Sequence, residues 1–83
     1  MDISIKKLKD LIKESYEELY EVFDSNEVYD EKKFCQGKNE TDEEYYNRLK
    51  ATLIILVNRV NDCYLEYGID SKWAEHIFRL IDV

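Results

Sequence analysis

The chain has no proline, two glycines (Gly37 and Gly68), one histidine (His76) and two cysteines in 83 residues. Multi-stranded β folds need proline and glycine at their turns, so helices are favoured before any pattern is read. Cys35 and Cys63 show no Cys-x-x-Cys spacing and have one histidine to share. They signal neither a zinc site nor a disulfide framework, and unframed thiols fit a reducing compartment. The longest apolar run, Leu53-Ile54-Ile55-Leu56-Val57, is far short of the roughly 20 residues that span a bilayer. The opening Met1-Asp2-Ile3-Ser4-Ile5-Lys6-Lys7 has no apolar stretch of the secretory kind. A cytoplasmic protein with no membrane partner is the expectation.

Catalytic patterns are missing as well. No Ser/His/Asp set, Gly-rich phosphate loop or His-Glu-x-x-His occurs, and so small a chain encloses a deep pocket with difficulty. The expectation is a non-enzyme with no cofactor and no metal. At this length the chain reads as one domain, residues 1–83, and a fold of this size buries only about 60% of its unfolded surface.

What is present is helical periodicity. From about Ile3 to Phe23, Ile5, Leu8, Ile12, Ser15, Leu19 and Val22 follow alternating three-and-four spacing, the mark of one helical face. Leu11, Tyr16 and Phe23 widen it, with Asp2 or Ser4 as the cap. The second helix is marked at both ends. Thr41-Asp42-Glu43-Glu44 is a capping box, and Gly68 supplies the left-handed residue that closes many helices. Between them Tyr46, Leu49, Leu53, Leu56, Val60, Cys63 and Tyr67 repeat at three and four. The roughly 26 residues extend about 39 Å, so this helix is expected to overhang the fold or meet a second subunit. Ala51, Ile54, Ile55 and Leu65 lie off that seam, and a helix apolar on two faces is buried from both.

A third helix should begin after Asp70 or Ser71, with Ile69 stapled on Ala74. Its Trp73, Ala74, Ile77, Phe78, Leu80 and Ile81 make it the expected cover for the back of helix 2. For residues 24–40, a short helix near 27–35 carrying Val28, Tyr29 and Phe34 and an ordered loop are both open. The fold class is all-α, a small bundle of three main helices, with helices 1 and 2 as an antiparallel hairpin plus the C-terminal helix.

The net charge of −7 is unevenly distributed. Residues 1–13 carry +2, residues 14–47 carry −9, and residues 48–83 balance. An antiparallel hairpin gathers the acids at one pole. Acids starting helix 2 suit its dipole, whereas Glu17, Glu18, Glu21 and Asp24 toward the end of helix 1 oppose it. Folding gains nothing from that placement, which points to a contact role, although a solvated, solubilising face also accounts for it. Tyr16, Tyr20, Tyr29, Tyr45 and Tyr46 fall in the same segment, and tyrosine is enriched where proteins grip proteins. The nominated partner-binding residues are Glu17, Tyr20, Glu21, Asp24, Glu27 and Asp30.

A small acidic binding module follows, one that presents these residues to the basic groove of a nucleic-acid-handling enzyme and inhibits it. Direct nucleic-acid binding is not expected, because phosphates demand a basic footprint. In size, acidity and helicity the chain is similar to small phage-encoded antagonists such as anti-CRISPR proteins and DNA mimics, a likeness that carries no residue across. The alternatives are a homodimer or scaffold subunit built on the long second helix, or an antitoxin or immunity protein.

Overall fold

The computed structural model describes residues 3–23 and 26–81. Helix α1 spans Ile5–Phe23, a 3₁₀ turn spans Glu31–Phe34, α2 spans Asp42–Glu66 and α3 spans Lys72–Leu80, with no strand among the described residues. The chain is an all-α bundle of three main helices, as its periodicity predicts. None of the described helices is long and apolar enough to cross a membrane.

Local chemistry accounts for each boundary. Ser4 Oγ accepts from the Lys7 N–H at 3.1 Å and starts α1. At α2 the capping box closes in both directions, Glu44 N–H to Thr41 Oγ1 at 3.1 Å and Thr41 N–H to Glu44 Oε1 at 3.0 Å. The other end of α2 is a Schellman motif, with Gly68 N–H on the Leu65 carbonyl and Ile69 N–H on the Tyr64 carbonyl. Gly68 has φ +71° there, a conformation that any Cβ disfavours. Ser71 caps α3 by accepting from the Ala74 N–H. Ile69 therefore serves the end of α2 and stays exposed; it does not form the expected staple.

Leu8, Ile12, Leu49, Leu53, Val60, Ala74 and Ile77 are buried where the seams predict them, with Ser15 satisfied by donating to the Leu11 carbonyl at 2.9 Å. Other positions differ. At the start of α2 it is Tyr45, not Tyr46, that is buried, and Val57 joins the core. Val22 and Tyr67, both expected on a seam, are exposed. The back of α2 is not covered by α3: Ile55 is 62% and Leu65 50% accessible, and Ala51 is exposed beside them.

Helix direction departs furthest from the expected hairpin. The end of α1 meets the end of α2, since the Tyr64 hydroxyl donates to the Glu18 carboxylate and the Phe23 ring stands 4.9 Å from Tyr64 and 6.2 Å from Tyr67. At the opposite end, Ile3 and Ile5 share a recess with Asp42, Glu43, Tyr46 and Asn47. Helices α1 and α2 therefore run parallel, not as an antiparallel hairpin. The connector between them travels back along α1, placing Tyr29 against Tyr16 at 6.2 Å and Phe34 against both, at 6.1 Å from Tyr16 and 5.5 Å from Tyr29. The Tyr45 hydroxyl then donates to the Phe34 carbonyl. The eighteen residues 24–41 reach up to about 60 Å when extended, against the about 28 Å that α1 occupies. Length is sufficient, and the 3₁₀ turn takes up slack.

Two outcomes test this architecture. Leu53→Ala, at a position with no solvent access, is expected to lower stability by about 2–5 kcal/mol in urea denaturation, while Ile55→Ala changes it by less than about 1 kcal/mol. With Cys35 and Cys63 replaced by serine, a spin label at Glu66→Cys is expected to broaden amide signals of residues 18–23. Broadening near residues 5–8 instead would restore the antiparallel pairing.

Candidate protein-contact surface

Three of the six nominated residues come together. Glu17, Tyr20 and Glu21 lie along the exposed side of the C-terminal half of α1. There the returning connector forms one wall of an open cleft of about 380 Å³, lined by Lys13, Tyr16, Glu17, Tyr20, Glu21, Val28 and Tyr29. Tyr20 is 56% and Val28 69% accessible. The floor is held by the Tyr16–Tyr29–Phe34 ring contacts.

Two of the others do different work. Glu27 is exposed but pairs with Arg59 at 3.1 Å, a contact worth about 0–1 kcal/mol at such exposure. Asp30 Oδ1 accepts from the Lys32 N–H at 3.1 Å and starts the 3₁₀ turn. Asp24 lies outside the described residues. Two tyrosines expected in the acidic segment are also structural, since Tyr45 is buried and Tyr46 half-buried.

Parallel packing changes the composition of the acidic pole. Asp42, Glu43 and Glu44 stand at the opposite end of the bundle from Glu21, beside Ile3 and Ile5, about 24 Å away along α1 at 1.5 Å per residue. That exceeds the roughly 8 Å screening length at physiological salt, so the pole expected from a hairpin does not form. In its place, the ends of α1 and α2 put Glu17, Glu18 and Glu21 at the end of the molecule that also carries Asp62 and Glu66, the latter two on the side of α2 away from the Tyr64–Glu18 contact. Neither helix has a basic residue in its last turn. Both macrodipoles present their negative ends at this pole. Asp62 and Glu66 were invisible in the sequence because their segment is neutral overall. Knowing that the helices run parallel would have exposed them.

Two pairs are removed from this surface by internal bonds. Arg48 grips Glu40 through Nε at 2.8 Å and Nη2 at 2.9 Å, while the Gly37 N–H donates to Glu40 Oε1 at 3.0 Å. These bonds, the Arg48 contact first, hold the Glu40 carboxyl down at about 2. Arg48 also donates to the Cys35 carbonyl at 3.0 Å and lies 5.3 Å from the Tyr45 ring centre, so this group ties the connector to α2. The second pair is Tyr64 and Glu18. The hydrogen bond to the Glu18 carboxylate, reinforced by burial, pushes the Tyr64 phenol up to about 12.

A depressed carboxyl stabilises the fold above its ordinary range, and that contribution disappears as pH falls through about 2. Glu40→Gln is therefore expected to melt below the parent protein at neutral pH, with the gap closing as pH drops from about 5 toward about 2. A raised phenol stabilises below its ordinary value of about 10, and the contribution is lost as pH rises through about 12. Ultraviolet titration of the tyrosines is expected to contain a step at about 12, which Glu18→Gln moves down toward the ordinary value.

Comparison of the chain with family models, curated proteins and solved structures gives no match, so its functional reading rests on this geometry alone.

Proposed function

We propose that the chain is a protein-binding module whose contact surface is the end where α1 and α2 terminate together. The partner in this reading is a protein with a basic surface, of the kind that nucleic-acid-handling enzymes use to hold phosphates, and occupation of that groove inhibits the enzyme. One observation carries the proposal. Glu17 and Glu21 share an end of the molecule with Asp62 and Glu66, at the negative ends of two parallel dipoles and without a basic residue in either last turn. Gathering like charges there opposes folding. It does supply a strong field for attracting and orienting a cationic partner. Nucleic acid itself is repelled by the same field.

A second reading rests on Ala51, Ile55 and Leu65, which are exposed on the outer side of α2 with Asn58 and Asp62 between Ile55 and Leu65 on the same face; a homodimer or scaffold subunit would cover them. Charge reversal separates the two. Under the first reading, Glu17→Lys, Glu21→Lys and Glu66→Lys together are expected to cut partner capture from the native host by about tenfold or more and to flatten its salt dependence, while Ile55→Glu leaves both unchanged. Sedimentation showing a salt-insensitive dimer that Ile55→Glu dissociates, with capture indifferent to the lysine changes, would favour the scaffold.

A further inference from the structure

We infer that the cleft between α1 and the connector receives a short partner segment in which an apolar side chain is accompanied by an arginine. This rests on the proposed protein-binding role but on a different observation, the shape and lining of the cleft and not the charge of the pole. The floor and one wall are apolar or aromatic, formed by Tyr16, Tyr20, Val28 and Tyr29. Val28 and Tyr20 present most of their surface to solvent.

The cleft is built before any partner arrives. Its connector wall is held by buried Phe34, whose carbonyl accepts from Tyr45, and by the Asp30 cap, with the exposed Glu27–Arg59 pair adding little. Little ordering remains to be done on binding, which is the usual drain on affinity at loop-built sites. An apolar side chain alone would satisfy the floor. The rim asks for more, because Glu17 and Glu21 stand one helical turn apart on one wall and neither enters an ion pair among the described residues.

Charge complementarity therefore selects a cation next to the anchor, and the rings select which cation. A guanidinium stacks on a tyrosine face while its fork meets carboxylates two at a time, whereas an ammonium does neither as well. Lys13 closes the other end of the cleft. The recess beyond it mixes Lys9 with Asp10 and Glu31, and so prefers neither sign. From Lys13 to Glu21 the helix advances about 12 Å, the span of about four extended residues. Anchor and arginine should thus fall within about four residues of each other.

The test is selection of short randomised displayed peptides on the full chain. The enriched peptides are expected to pair an aliphatic or aromatic residue with arginine at that spacing. Val28→Lys or Tyr20→Ala is expected to weaken the selected peptides about tenfold, with the melting temperature unchanged because both side chains are exposed. Glu17→Gln with Glu21→Gln should keep the apolar preference and lose the arginine. Enrichment of basic peptides without an apolar residue, abolished by Glu66→Lys and indifferent to Val28→Lys, would overturn the cleft while leaving the acidic contact surface standing. No enrichment of basic peptides would overturn both. Self-association that Val28→Lys abolishes would assign the cleft to a second copy of the chain and overturn the arginine segment.

Discussion

The contact between the connector and α1 decides the rest of this structure. Tyr29 and Phe34 lie against Tyr16, and the Phe34 carbonyl accepts from Tyr45, so the chain is drawn back along the helix it has just left. α2 then starts beside the beginning of α1 and runs alongside it. Aromatic pairs in edge or offset geometry add about 0.5–1.5 kcal/mol beyond their buried area, a large share for a domain of this size. The Arg48 group reinforces the same outcome by joining Glu40 and the Cys35 carbonyl to α2.

Parallel direction has an electrostatic consequence. An antiparallel pair sets the positive end of one dipole beside the negative end of the other, but here like ends coincide. The starting end carries Lys6, Lys7 and Lys9 on α1 and Asp42, Glu43 and Glu44 on α2, so charge there is mixed. At the finishing end no such compensation exists in either last turn. The Tyr64–Glu18 hydrogen bond and the Arg59–Glu27 pair relieve part of the crowding, and Glu17, Glu21, Asp62 and Glu66 keep the field open to solvent.

The same return path produces the cleft. A helix alone offers a convex stripe, whereas a helix with an extended segment laid beside it offers a groove whose two walls come from distant parts of the chain. Here the helix contributes Tyr16, Glu17, Tyr20 and Glu21, and the connector contributes Val28 and Tyr29. The acidic end and the cleft adjoin through Glu17 and Glu21, so in the proposed reading one partner meets both, its basic surface drawn by the first and an anchoring side chain held by the second.

Local signals in the sequence determined the helix ends and most of the buried faces. The Thr41–Glu44 box, the Ser71 cap and Gly68 act within a few residues, and the spacing of Leu8, Ile12, Leu49, Leu53 and Val60 reports a face that must be hidden whatever lies against it. The grouping of Glu17, Tyr20 and Glu21 was legible for the same reason, being one helix side. Direction was not, because a three-and-four repeat buries the same face whether the neighbouring helix runs up or down. Tertiary structure alone decided it, through contacts joining Tyr16, Tyr29, Phe34 and Tyr45 across the chain, and with it decided that Asp62 and Glu66, not Asp42 to Glu44, share an end with the carboxylates of α1.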